Sequence, residues 1–229
     1  MKSKLIVALD FDNQSEALSL VNQLNPNWCA LKVGSEMFTL LGANFVRALI
    51  ARQFRVFLDL KFHDIPTTVA RACVVACDLG IWMLNVHASG GRAMMESAAS
   101  AVAAYGTERP LLIAVTVLTS MVADDLPALG ITQSLDEHVS KLAVMAREAG
   151  LDGVVSSAFE VPLIKAVCGA DFLTVTPGIR LPGSAQDDQT RIITPQQAIE
   201  AGSDYIVMGR PITRAAHPAS VVRELLNDV

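Results

Sequence analysis

Eight short apolar runs, each followed by a stretch with helical apolar spacing, constrain this chain more than anything else in it. The strand-like runs lie at residues 4–10, 29–34, 55–61, 82–88, 110–119, 153–156, 172–178 and 205–209. Between them the spacing predicts helices over 14–24, 35–52, 66–79, 91–104, 135–149, 159–167, 195–201 and 218–226. Gly80, Gly106, Gly150, Gly169 and Gly202 stand where helices commonly stop. Strict βα alternation repeated eight times predicts an α/β fold, a (β/α)8 TIM barrel, with a doubly wound open sheet as the competing architecture. The first run is not followed by Gly-x-Gly-x-x-Gly, which weakens the open sheet. No linker, low-complexity tract or charge block divides residues 1–229, so one domain is expected.

Composition agrees with strands covered on both faces. Hydrophobic residues make up 52% of the chain and charged residues 18%, with a mean hydropathy of +0.40. A net charge of −5 and a pI near 5.3 argue against a nucleic-acid or anionic-membrane surface, which asks for clustered Lys and Arg. Cys29, Cys73, Cys77 and Cys168 show neither zinc-ligand spacing nor a disulfide framework. No apolar run is long enough to span a bilayer, and Met1-Lys2-Ser3-Lys4 passes into the first strand without a cleavage site, so the cytoplasm is the expected compartment.

Charge at the end of an apolar strand needs a reason, and Asp59-Leu60-Lys61-Phe62-His63-Asp64-Ile65-Pro66 is the sharpest case. Strand alternation through residues 55–58 puts Asp59 and Lys61 on one side, and Pro66 reads as the first turn of the next helix. Barrel enzymes place their chemistry at this kind of strand-to-helix turn. A buried Asp–Lys ion pair that only fixes the fold is the competing reading. Asp59 and Asp64 would raise each other's pKa unless a cation sat between them, and Lys61 is that cation. Other strand ends supply Asp10, Lys32, Thr119, Ser120, Arg180, Gly209 and Arg210, all expected around one mouth. Alone, Asp10 or Ser120 would read as a helix cap, but two lysines and two aspartates on three successive strands point to catalysis.

Thr176-Pro177-Gly178-Ile179-Arg180 and Val207-Met208-Gly209-Arg210-Pro211 form a second constellation. Barrels often bind phosphate with the loops after strands seven and eight, where glycine admits backbone N–H groups and arginine can fork onto the oxygens. Plain turn glycines are the alternative. Long connections at 119–133 and 179–194 leave from the same face and are expected to act as lids. His63 and His87 are read as structural.

Together these segments, with Val7-Ala8-Leu9-Asp10, Leu31-Lys32-Val33-Gly34, Thr67-Thr68-Val69 and Val115-Thr116-Val117-Leu118-Thr119-Ser120, resemble the orotidine 5'-monophosphate decarboxylase family along the whole chain. The resemblance implies decarboxylation of a pyrimidine nucleotide at C6 to give UMP, the last step of de novo pyrimidine synthesis, with neither metal nor organic cofactor. It implies Lys61 as proton donor within a Lys32–Asp59–Lys61–Asp64 network, with Asp64 supplied by the partner subunit of a homodimer. Asp10, Lys32 and Thr68 would contact the ribose or the network around it. Thr119 and Ser120 would meet the pyrimidine edge, and Gln189, Arg180, Gly209 and Arg210 the phosphate, with Pro177 beside them. Sister sugar-phosphate decarboxylases and hexulose-phosphate synthases share Asp-x-Lys-x-x-Asp but use Mg²⁺. Lys32 stands where that branch resembles an acidic metal ligand, which points away from it. A phosphate-binding barrel that senses a metabolite would have no use for Lys61 between two aspartates.

Overall fold

Alternate residues of each apolar run face two different apolar environments, the barrel interior and the surrounding helices. The computed structural model describes residues 3–181 and 193–226. Strands β1 (Leu5–Ala8), β2 (Ala30–Gly34), β3 (Val56–Phe62), β4 (Met83–His87), β5 (Leu111–Val115), β6 (Gly153–Val155), β7 (Leu173–Thr176) and β8 (Tyr205–Met208) pair in parallel in chain order, and β8 returns to β1. Ile6, Ala8, Ala30, Phe57, Met83, Ile113, Val175 and Val207 fill the interior as one cluster. Leu5, Val7, Leu31, Val33, Val56 and Leu58 belong to the other cluster, shared with the outer helices. The expected (β/α)8 barrel is therefore the observed one.

Helices α1 (Gln14–Val21), α2 (Ser35–Ala51), α3 (Pro66–Cys77), α4 (Arg92–Ala103), α5 (Leu135–Glu148), α6 (Val161–Cys168), α7 (Pro195–Glu200), α8 (Arg210–Thr213) and α9 (Pro218–Leu225) follow the strands. Local chemistry sets their starts. Asn13 caps α1 through the Glu16 N–H, and Ser134 with Glu137 and Thr194 with Gln197 form capping boxes on α5 and α7. Pro66 opens α3 as expected. At the opposite end of the barrel from the strand-end charges, aspartates fasten neighbouring strands. Asp152 accepts the Leu112 N–H at 2.7 Å while Arg109 forks onto it, and Asp204 accepts the Thr174 N–H at 2.7 Å beside Lys165.

The structure departs from the expected elements in several places. The fifth strand stops at Val115 rather than 119, because beyond Thr116, whose hydroxyl donates to the Val155 carbonyl, the chain turns with Met121 N–H on Leu118 O. The helix expected over 35–52 breaks at Gly42, which takes a φ of 63°. A short 3₁₀ turn at Ala158–Glu160 precedes α6. Finally, α8 sits directly after β8, in a stretch for which no helix was expected.

Candidate active site

Lys32 is the centre of a chain of alternating charge at the C-terminal mouth of the barrel. β2 carries its ammonium between two carboxylates, 3.1 Å from Asp10 Oδ1 and 3.3 Å from Asp59 Oδ2. The other Asp59 oxygen lies 2.6 Å from Lys61 Nζ. Four side chains from the ends of β1, β2 and β3 thus form one continuous array, Asp10–Lys32–Asp59–Lys61. Space for it comes from glycine: a Cβ on Gly34 would sit 3.1 Å from Lys32 Nζ, and one on Gly209 would sit 3.3 Å from Asp10 Oδ2.

Burial and charge compete within the array, and charge wins. Burial works to raise the pKa of Asp59, but the Lys32 and Lys61 ammoniums and hydrogen bonds from Lys61 and Asn85 hold the carboxyl below its ordinary range. Burial likewise opposes the charge on Lys32, yet Asp59 and Asp10 override it and raise the ammonium above its ordinary value. Around neutral pH both residues stay ionised. His87, half-buried at the end of β4, goes the other way: burial first, then His63 and Lys61, lower its pKa and favour the neutral ring. The His63 ring lies tilted beside it, 5.5 Å between centroids.

Lys61 meets Asp59 on one side of the strand, as expected, but not through regular strand alternation. The β3–β4 register shifts between Leu58 and Phe62, and Lys61 takes a φ of 52°. For an L-residue that backbone state costs roughly 1–2 kcal/mol. The ammonium therefore reaches Asp59 from a bulge, a device that recurs beside active sites. Asn85 braces it. This residue, 1% exposed on β4, accepts the Lys61 backbone N–H through Oδ1 at 2.8 Å and donates through Nδ2 to Asp59 Oδ1 at 2.7 Å. Sequence reasoning passed over Asn85, although a polar residue two positions after the inward Met83, between apolar Leu84 and Val86, was a usable signal.

A cavity of about 240 Å³ opens above the array. Phe57, Val115, Val155, Val175 and Val207 give it an apolar floor, and Asp10, Lys32, Asp59, Lys61, Thr119, Pro177, Gly178, Arg180, Gly209 and Arg210 line its walls. The two segments expected to bind phosphate do converge there. Gly178 needs its freedom, with a φ of 82° beside the buried Arg180. Ser120 is exposed one residue beyond the lining Thr119. Asp64 and Thr68 are also exposed and lie outside the cavity lining; the Asp64 carboxylate accepts the Ile65 N–H at 2.6 Å. Among the described residues Asp64 makes no ion pair with Lys61. Gln189 lies outside the described residues.

The family model described as Orotidine 5'-phosphate decarboxylase / HUMPS family matches residues 3–225. An orotidine 5'-phosphate decarboxylase from Legionella pneumophila is 62% identical over 229 residues, all of both chains. One from Vibrio cholerae is 58% identical over 222 residues, 97% of this chain and 96% of the relative. The crystal structure of orotidine 5'-phosphate decarboxylase from Lactobacillus acidophilus superposes with a TM-score of 0.87 at 38% identity, covering 98% of this chain and 97% of that one. The matched span holds all eight strands and the whole Asp10–Lys32–Asp59–Lys61 array, and the chain belongs to the orotidine 5'-phosphate decarboxylase / HUMPS family.

Proposed function

We propose that this chain decarboxylates orotidine 5'-monophosphate to UMP, the last step of de novo pyrimidine biosynthesis, without metal or organic cofactor. Lys61 supplies the proton that replaces CO₂ at C6. The observation that carries this reading is the alternating array with its 2.6 Å Lys61–Asp59 contact on the cavity wall. In the proposed step the bond from C6 to the carboxylate breaks with its electron pair left on carbon, CO₂ departs, and the Lys61 ammonium protonates C6. The resulting amine is reprotonated from solvent. An sp² carbanion at C6 cannot spread its charge into the ring, so fixed charge held close must stabilise it. Carboxylates and ammoniums already locked together need no reorganisation, and the apolar floor strengthens their field.

Around that centre, Asp10 and Lys32 contact the ribose, Thr119 and Ser120 the pyrimidine edge, and Arg180, Gly209, Arg210 and Gln189 the phosphate, with Pro177 packed beside it. Lys32 Nζ sits between the Asp10 and Asp59 carboxylates, an ammonium at the position where a Mg²⁺-dependent sister enzyme would need an acidic metal ligand. The protein works as a homodimer in which Asp64 and Thr68 reach the partner's site. Their exposure supports this, as do the neighbouring apolar Ile65 at 67% and Val75 at 63% exposure. Four buried free thiols suit the reducing cytoplasm as its compartment. No helix among the described residues is long and apolar enough to cross a membrane.

Following the absorbance change as orotidine 5'-monophosphate is consumed, with EDTA present, tests reaction, substrate and metal need together. Undiminished turnover is expected. Inactivity that Mg²⁺ restores, or binding of the nucleotide without turnover, overturns the proposal.

A further inference from the structure

We infer that Asn85 is a positioning residue for the decarboxylation proposed above, locking the Lys61 backbone and the Asp59 carboxylate into one geometry through a single side-chain amide. The inference rests on that functional reading and adds to it a residue that does not line the cavity. Asn85 is buried on β4 with both amide atoms committed, one to the Lys61 N–H and the other to Asp59 Oδ1. Its orientation is over-determined, because a flipped amide would set its oxygen against a carboxylate and its NH₂ against an N–H. The partner N–H belongs to the residue whose φ is 52°, in the stretch where the β3–β4 register shifts. With regular pairing lost there, this hydrogen bond holds the bulge in place. The same Asp59 oxygen also receives Lys61 Nζ at 2.6 Å, so Asn85 fixes both ends of the lysine: its backbone directly and its ammonium through Asp59.

A carboxylate at this position would not do the same work. Asp59 on β3 faces it directly, Lys61 presents an N–H to it, Lys32 on β2 stands behind Asp59, and His87 with His63 lies one inward position further along β4. In Asn85→Asp the new acid and Asp59 would share one proton, as adjacent carboxylates do. The singly protonated pair reproduces the wild-type charge and both hydrogen bonds. Loss of that proton sets two carboxylates against each other and releases the bulge.

Two variants decide the matter. Asn85→Leu keeps the volume and removes both bonds. Its kcat should fall by about 10–100-fold, the scale of an unmade buried hydrogen bond, while UMP affinity measured by calorimetry stays within about threefold. Asn85→Asp should show a kcat that recovers relative to wild type as pH falls from about 8 to about 5, a profile that a merely structural loss does not produce. A kcat within about threefold of wild type in Asn85→Leu, or equal losses in kcat and UMP affinity, overturns the inference. Should Asn85→Leu fail to fold, the pH profile of Asn85→Asp decides, a rising ratio supporting and a flat one overturning. If the wild-type enzyme proves inactive on orotidine 5'-monophosphate, the functional reading falls alone. A crystal structure of Asn85→Leu then tests the geometry without activity: Lys61 is expected to leave its φ near 52° and its contact with Asp59, and no movement of either overturns the inference.

Discussion

Lys61 combines a positive φ with a 2.6 Å contact to Asp59, so its ammonium is aimed before any substrate arrives. Removing the ammonium deletes the proton donor and leaves Arg180 and Arg210 untouched on the far wall. Lys61→Ala should therefore lose more than about a hundredfold in turnover, in keeping with the 10²–10⁴-fold typical of such donors, yet still bind UMP. Arg210 acts at the other end. Arg210→Ala should change both KM and kcat for the nucleotide and have far less effect on the phosphate-free nucleoside; equal losses on both would refute the phosphate assignment. Between these residues the charge array sets a pH window. Asp59 is held below the ordinary aspartate value of 3.8, so its contribution to stability is whole above about pH 4 and is lost as pH falls through the folded value. Lys32 is raised above 10.5, so its contribution is whole below about pH 10 and is lost as pH rises through the folded value. Urea unfolding followed from neutral pH into acid should weaken the wild type more steeply than Asp59→Asn, whose side chain has no proton to gain. Parallel slopes would remove Asp59 from the acid-labile part of the stability.

Strands were legible because runs such as Leu5-Ile6-Val7-Ala8 are apolar throughout, as strands buried on both faces are. Interior Ile6 and Ala8 alternate with outward Leu5 and Val7, a division that four apolar residues in a row do not themselves announce. What was not legible is where regularity breaks. The bulge that holds Lys61 depends on a side chain from another strand, Asn85, and no local preference of Asp59-Leu60-Lys61 encodes it. For the same reason Asp59 and Lys61 could be paired in advance while the cause of the pairing was missed. Four-residue α8 was not foreseen within the phosphate-binding segment after β8, because it is too short to show a helical period. Gly153 on β6 carries a further constraint visible only in three dimensions: an added Cβ would lie 2.3 Å from the Leu173 carbonyl oxygen and 2.6 Å from its Cβ on β7. Backbone cannot step aside there without parting two paired strands. Gly153→Ala should cost about 1–3 kcal/mol of stability by urea denaturation, the usual scale of overpacking, and an unchanged midpoint would show that β6 and β7 separate easily.

At the scale of the whole molecule the question is which chain completes each site. Asp64 lies three residues past Lys61, a span of at most about 10 Å, so spacing lets it fold back or reach outward. Within one chain it does not fold back onto the array. Its carboxylate accepts the Ile65 N–H, and it is exposed beside Ile65, itself 67% exposed at the start of α3. A twofold dimer that buries this apolar corner would carry each Asp64 toward the partner's Lys61. Every site then draws Lys61 from one subunit and Asp64 from the other. Mixing Lys61→Ala chains with Asp64→Ala chains would produce hybrid dimers with one doubly damaged site and one intact site. Two nearly inactive proteins should therefore rescue each other. With equal amounts and random exchange, half the dimers are hybrid and half of their sites are whole, which returns roughly a quarter of wild-type activity. Exchange is checked with a size-tagged subunit and native electrophoresis before the assay. If hybrids form and activity stays at the level of the separate mutants, Asp64 serves its own chain and the shared-site dimer is wrong.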